Sequence, residues 1–213
     1  MTVAERLARV RAAVPPGVTL VAVSKAQPSA AVREAYAAGQ RHFGENYVQE
    51  WREKAEALAD LGDLAWHFVG SLQTNKVKYL VGRVALVHTV DRLDLAGEIS
   101  RRSAQKGAAT RVLVEVNVAG EAGKAGCAPV EVPALVEAVR ALPGLELRGL
   151  MCIPPAEGDP RLHFRTLRAL RDRLGLADLS MGMSGDYPAA IEEGATLVRV
   201  GTAIFGERPA RHR

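Results

Sequence analysis

The chain has 213 residues, 48% of them hydrophobic and 24% charged, with a formal net charge of +4. That length allows one large core and the composition is that of a globular domain, while aromatics at 5% and scattered basic residues argue against nucleic-acid binding. No apolar run is long enough for a membrane span, and neither Cys127 nor Cys152 has metal-ligand or disulfide-framework spacing, so a cytoplasmic setting is expected.

Val3, Leu7, Val10 and Val14 recur at helical spacing and predict an opening helix over 2–14, ended by Pro15-Pro16-Gly17. The run Leu20-Val21-Ala22-Val23-Ser24-Lys25 follows. It is apolar on both faces, as a strand buried in a parallel sheet should be, and it ends on a lysine sharing the parity of Val21 and Val23. A helix is expected after Pro28-Ser29, a short strand at His42-Phe43-Gly44, and a helix from Glu45 to about Leu61. Ala65 to Gly70 reads as the third strand, Thr74 to Leu80 as helix, and Val84 to Val87 as the fourth strand, with a helix running to Gly107.

Arg111 to Val118 predicts the fifth strand. The Gly120 to Gly126 loop separates it from a helix over 130–142. Leu145 to Cys152 is the sixth strand, stopped by Pro154-Pro155. In the next helix Phe164, Leu167, Leu170 and Leu174 face the core, and the arginines at 161, 165, 168, 171 and 173 form a solvated basic face. Leu179 to Met183, a helix over 186–193, the strand Leu197 to Val200, and a turn of helix over 203–206 complete the chain. Eight strand-then-helix units with no linker predict a single-domain (β/α)8 TIM barrel over 1–213, with one extra N-terminal helix. An open doubly wound sheet is the alternative, weakened because no Gly-x-Gly-x-x-Gly follows the first strand.

A barrel directs attention to the carboxyl ends of its strands. Lys25 lies at one of them and, among apolar neighbours, is placed to act as an amine nucleophile toward a carbonyl; the alternative is a stem that snorkels to solvent. Ser184-Gly185-Asp186 after the seventh strand and Gly201-Thr202 after the eighth stand where such barrels build phosphate sites, each with a hydroxyl, a glycine and a helix start. Ser184 or Asp186 could equally cap a helix. Arg199, between Val198 and Val200, needs a partner or a ligand; Glu115 is the expected ion-pair acid. Asn46 could cap the next helix, and His67 reads as a satisfied core histidine. Lys124 fails the Gly-x-x-x-x-Gly-Lys-Ser/Thr spacing and is expected in a mobile loop facing the barrel mouth. A lysine, an arginine and a phosphate cup together suit pyridoxal phosphate (PLP) or a phosphosugar.

Several long stretches resemble the pyridoxal phosphate homeostasis protein family. They are Leu20 to Lys25, Gly39 to Glu50, Trp66 to Lys76, Gly149-Leu150-Met151, Leu179 to Ser184 and Val198 to Gly206, together spanning nearly the whole chain. The resemblance implies a barrel like the N-terminal domain of alanine racemase, with a Schiff base between Lys25 and PLP. Ser184, Gly201 and Thr202 then match phosphate-binding positions, Arg199 the residue facing the pyridine nitrogen, and Asn46 a residue near the ring. It further implies cofactor storage and delivery, with PLP-dependent apo-enzymes as acceptors, no established catalytic residue and no metal. A monomer is expected. The rival is an amino acid racemase or decarboxylase, but none of Tyr36, Tyr47, Tyr79 and Tyr187 is placed by the sequence as a second base. Family members often end on an aromatic soon after the Gly206 position, whereas this chain runs on in a basic tail.

Overall fold

Strand β1 (Thr19–Val23) shows how these sequences become a barrel. It pairs in parallel with β2 (His42–Glu45) on one side and with β8 (Leu197–Val200) on the other. It therefore has no free edge, and both of its faces are covered. In the computed structural model, which describes residues 1–207, the remaining strands continue the circuit: β3 (Ala65–Phe68), β4 (Leu86–Val90), β5 (Thr110–Val116), β6 (Leu145–Cys152) and β7 (Asp178–Ser180). The order β1 to β8 closes into a barrel of parallel strands. The expected (β/α)8 barrel is the fold observed. The tail from Arg208 to Arg213 lies outside the described residues.

Alternation divides each strand between two cores. Leu20, Ala22, Phe43, Val114, Leu150 and Val198 face outward, into the larger core shared with the helices. Val21, Leu86, Leu113, Met151 and Leu197 face inward and form a separate cluster in the barrel lumen. The outer layer is covered by α2 (Ser29–Ala37), α3 (Val48–Ala57), α4 (Val77–Leu80, entered through a 3-10 turn), α5 (Leu93–Lys106), α6 (Val132–Arg140), α7 (Arg161–Arg173) and α8 (Tyr187–Glu192). In α7, Phe164, Leu167 and Leu170 are buried, as their spacing predicts, and Arg165 and Arg168 pair with Glu193.

The first helix, α1 (Val3–Ala12), starts on a reciprocal cap between Thr2 and Glu5 and buries Val3, Leu7 and Val10. It packs against α2 and against the four-residue α9 (Thr202–Phe205). It thus fills the place in the helical ring that so short a final helix cannot cover. Arg6 fastens α1 to α9: its guanidinium donates to the carbonyls of Ile204 at 2.7 Å and Phe205 at 3.2 Å.

Some boundaries differ from expectation. The fourth strand begins at Leu86 instead of Val84, because β3 pairs His67 with Leu86 and Phe68 with Val87. It continues through the buried His88 and Thr89, which a reading of apolar runs leaves out. Helix α3 starts after Tyr47 and ends at Ala57, before the expected Leu61.

Candidate functional site

Lys25 does not continue β1. The strand stops at Val23, and Ser24-Lys25-Ala26 forms a turn at the barrel mouth. That turn is held from beneath. The backbone N–H of Ser24 donates to the Gly44 carbonyl at 2.9 Å, and its hydroxyl donates to Glu45 Oε1 at 2.6 Å. Lys54, 4% exposed, reaches up from α3 to Glu45 at 2.6 Å, to Glu50 at 2.7 Å and to the Ser24 carbonyl. Glu50 accepts the Ala26 N–H. Ala26 has φ of 59°, the one left-handed non-glycine among the described residues. Both neighbours of Lys25 are therefore pinned into a buried ionic cluster, which fixes the direction in which the lysine leaves the chain. Burial pushes the Glu45 carboxyl up from its ordinary pKa, and Lys54 opposes that shift.

Asn46 follows β2 and does not cap α3: Tyr47 holds the cap position, and it makes no side-chain cap bond. The Asn46 backbone is crowded by Gly70, where a Cβ would come within 2.1 Å of the Asn46 carbonyl oxygen. Only glycine at 70 permits that approach. The Asn46 Oδ1 is buried and has no hydrogen-bond partner, an unsatisfied acceptor within a residue that lines the cavity.

The loops after β7 and β8 meet. Ser184 does not cap α8, whose start is at Asp186; instead its Oγ accepts N–H groups from Gly201 at 3.2 Å and Ala203 at 3.3 Å across the gap. Asp186 Oδ1 accepts the Met183 N–H and tightens the turn. A hydroxyl oxygen thus lies where two amides at the start of α9 converge, the arrangement that also suits an anionic oxygen. Thr202, the first residue of α9, is exposed beside it.

Arg199, 4% exposed, does not form the expected ion pair with Glu115. It donates to Ser180 Oγ at 2.6 Å and to the Cys152 carbonyl at 2.8 Å. Burial lowers the Arg199 pKa, and Glu115 and Asp186 act in the opposite direction. Glu115 itself is pushed up to about 7, chiefly by desolvation and then by Asp91. His67 is indeed a satisfied core residue, but it is one of three linked histidines: His42 Nδ1 lies 2.9 Å from His67 Nε2, and His67 Nδ1 lies 2.9 Å from His88 Nε2. His88 Nδ1 then meets Ser180 Oγ at 2.8 Å.

Lys25, Asn46, Ser184, Arg199, Gly201 and Thr202 all line one cavity of about 240 Å³ at the mouth. The wall residues Val23, Val69, Ile153, Met183 and Phe205 also line it and went unread in the sequence. Each lies at or just past a strand end or on α9, and only the closed topology brings them together. Lys124 is absent from that lining and is paired with Glu121 in its own loop, contrary to the expectation that it faces the mouth. Among the described residues no cluster of histidines, cysteines and carboxylates suited to a metal ion is found.

The features fit PLP: an amine, a hydroxyl with two converging amides, and a largely buried guanidinium all belong to residues lining one cavity. The barrel and its mouth define the class of the alanine racemase N-terminal domain, whose family matches residues 2–209. The Clostridium difficile alanine racemase, 15% identical with a TM-score of 0.77, shares this fold; the match covers 99% of the chain and 57% of the racemase. A pyridoxal phosphate homeostasis protein from Aquifex aeolicus is 50% identical over 89% of the chain and 86% of its own length. PipY of Synechococcus elongatus, solved with PLP bound, superposes with a TM-score of 0.92 at 42% identity, over 96% of this chain and all of that one. The chain belongs to the pyridoxal phosphate homeostasis protein family.

Proposed function

We propose that the protein holds pyridoxal 5'-phosphate through a covalent bond to Lys25 and releases it to other proteins, without a catalytic reaction of its own. The observation that carries this reading is the convergence of Lys25, Arg199 and the Ser184–Gly201–Thr202 cup on one cavity. The bound cofactor supplies an aldehyde that condenses reversibly with a primary amine. Lys25 is that amine, presented by a turn whose flanking residues are tied to Glu45, Glu50 and Lys54. The cup takes the phosphate: Ser184, Gly201 and Thr202 offer two hydroxyls and the amides at the start of α9. Arg199 faces the ring nitrogen and, as a permanent cation, disfavours a proton there, while Asn46 contacts the ring edge.

A ring nitrogen kept unprotonated is a poor sink for electrons, which favours storage over turnover. Racemization further requires a second proton-transfer group opposite the lysine. Among the described residues, those lining the cavity include no tyrosine, histidine or carboxylate for that task. No helix of the described residues is long and apolar enough to cross a membrane. We place the protein in the cytoplasm as a monomer, with PLP-dependent apo-enzymes as the acceptors.

Purified protein mixed with PLP should develop a visible absorption band, and borohydride reduction should place the cofactor's mass on the peptide carrying Lys25. Lys25→Ala should abolish both, and a persisting band would move the attachment elsewhere. Ser184→Ala should weaken affinity for PLP about tenfold or more while leaving affinity for unphosphorylated pyridoxal little changed. Turnover of an amino acid panel that depends on Lys25 would favour the enzymatic alternative.

A further inference from the structure

The barrel lumen holds an unusual polar path. His42 stands at the start of β2, His67 and His88 in the middle of β3 and β4, Ser180 at the end of β7 and Arg199 within β8. The contacts run unbroken from His42 through His67, His88 and Ser180 to Arg199, at 2.9, 2.9, 2.8 and 2.6 Å. The step from His88 to Ser180 crosses the lumen from β4 to β7. His67, His88 and Ser180 are 3%, 0% and 0% exposed, so these contacts are shielded from bulk water.

We propose that Ser180, His88, His67 and His42 form a one-way hydrogen-bond relay that positions the Arg199 guanidinium toward the cofactor, its direction set from the arginine end. The proposal rests on the cofactor reading above only for what Arg199 faces. A guanidinium can only donate, so Ser180 Oγ must accept from it. The buried hydroxyl has one proton, and His88 Nδ1 is the acceptor within reach. His88 is then protonated on Nε2 and donates to His67 Nδ1. A neutral imidazole carries one ring proton, so the constraint passes on: His67 donates from Nε2 to His42 Nδ1, and His42 keeps its proton on Nε2. His42 borders a groove with Arg11, Gln40 and Arg41 at the opposite end of the barrel.

The imidazoles must be neutral for this order to exist, and burial favours that state. Desolvation lowers all three pKa values, bringing His67 to about 3, with added repulsion between His42 and His67, between His67 and His88, and from Arg199 on His88. With its proton committed to His88, Ser180 presents only lone pairs to Arg199. Together with the Cys152 carbonyl it fixes two corners of the guanidinium of a residue that lines the cavity.

Two measurements test this. Nitrogen-15 NMR of histidine-labelled protein without cofactor should show neutral rings protonated on Nε2 at His42, His67 and His88. A proton on Nδ1 of His67 or His88 would overturn the relay, whatever the protein binds. In the loaded protein, His88→Leu should weaken PLP binding about tenfold and displace the pH profile of the visible band. His88→Asn, which keeps an acceptor beside Ser180, should restore much of both. A His88→Leu protein with wild-type affinity and pH profile refutes the positioning role. If His88→Leu does not fold, Ser180→Ala supplies the same comparison, with Ser180→Thr as the conservative variant. Wild-type protein that gives no visible band with PLP would sink the cofactor reading instead, and the NMR result would stand independently.

Discussion

Glu115 shows what a single side chain can do to the pH response of this fold. Its folded pKa, about 7, lies above the ordinary carboxylate value because the carboxyl is buried. The folded state therefore binds the proton more tightly than the unfolded chain. The resulting stabilisation is complete below about pH 4.5 and is lost as pH rises through 7. With about 1.4 kcal/mol per unit, Glu115→Gln should raise stability at pH 8 by up to about 3 kcal/mol and flatten the fall between pH 5 and pH 8. Urea titrations across that range check it, and an unchanged slope would show that the carboxyl is solvated. At this scale the sequence was partly legible. Lys25, Ser184 and Arg199 stood out because each is polar at a strand end or within an apolar run. Arg199 was paired with the wrong partner because its acceptors are a serine hydroxyl and a backbone carbonyl, whereas the expectation sought an acid. His42 and His88 went unread as a set, although each sits at an inward-facing position on β2 or β4 and His67 does so on β3. Three histidines at inward positions on consecutive strands were the available signal.

Between elements, the contact of α3 with the β1 turn carries the most consequence. Lys54→Met would leave the Glu45 and Glu50 carboxylates without their cation, and Glu45, 0% exposed, would then be a buried unpaired charge. A loss of about 3–5 kcal/mol is expected in denaturant unfolding, and Lys54→Met with Glu45→Leu should recover a substantial part of it. Ala26→Gly relieves a left-handed alanine at some cost in chain entropy, so a gain of up to about 1 kcal/mol is expected, with looser presentation of Lys25 and weaker PLP binding. Thermal melts and a PLP titration on the same variant separate the two effects. Strand and helix order was legible throughout, because repeated apolar runs alternate with amphipathic stretches. The β4 boundary was not, since its centre is built from His88 and Thr89, which are buried by the lumen and not by hydrophobicity.

The whole molecule is organised by closure. With β1 paired to β8 no strand edge is exposed, which favours a single cooperative unfolding transition over stepwise loss of strands. Arg6 reinforces that closure by holding the Ile204 and Phe205 carbonyls behind the cup. Arg6→Ala should cost about 1.5 kcal/mol and weaken PLP binding several-fold without touching the cavity. Wild-type affinity in that variant would show that α9 holds its place unaided. The same contact bears on synthesis. The partner of Arg6 lies 198 residues further along the chain, and β1 cannot meet β8 any sooner. At roughly 5–20 residues added per second, β1 therefore waits about 9–35 s for β8 to be made. Ser184, Gly201 and Thr202 come more than 150 residues after Lys25, so the nascent chain exposes Lys25 well before the loops that line the same cavity. With PLP held as proposed above, its capture has to await the loops that follow β7 and β8.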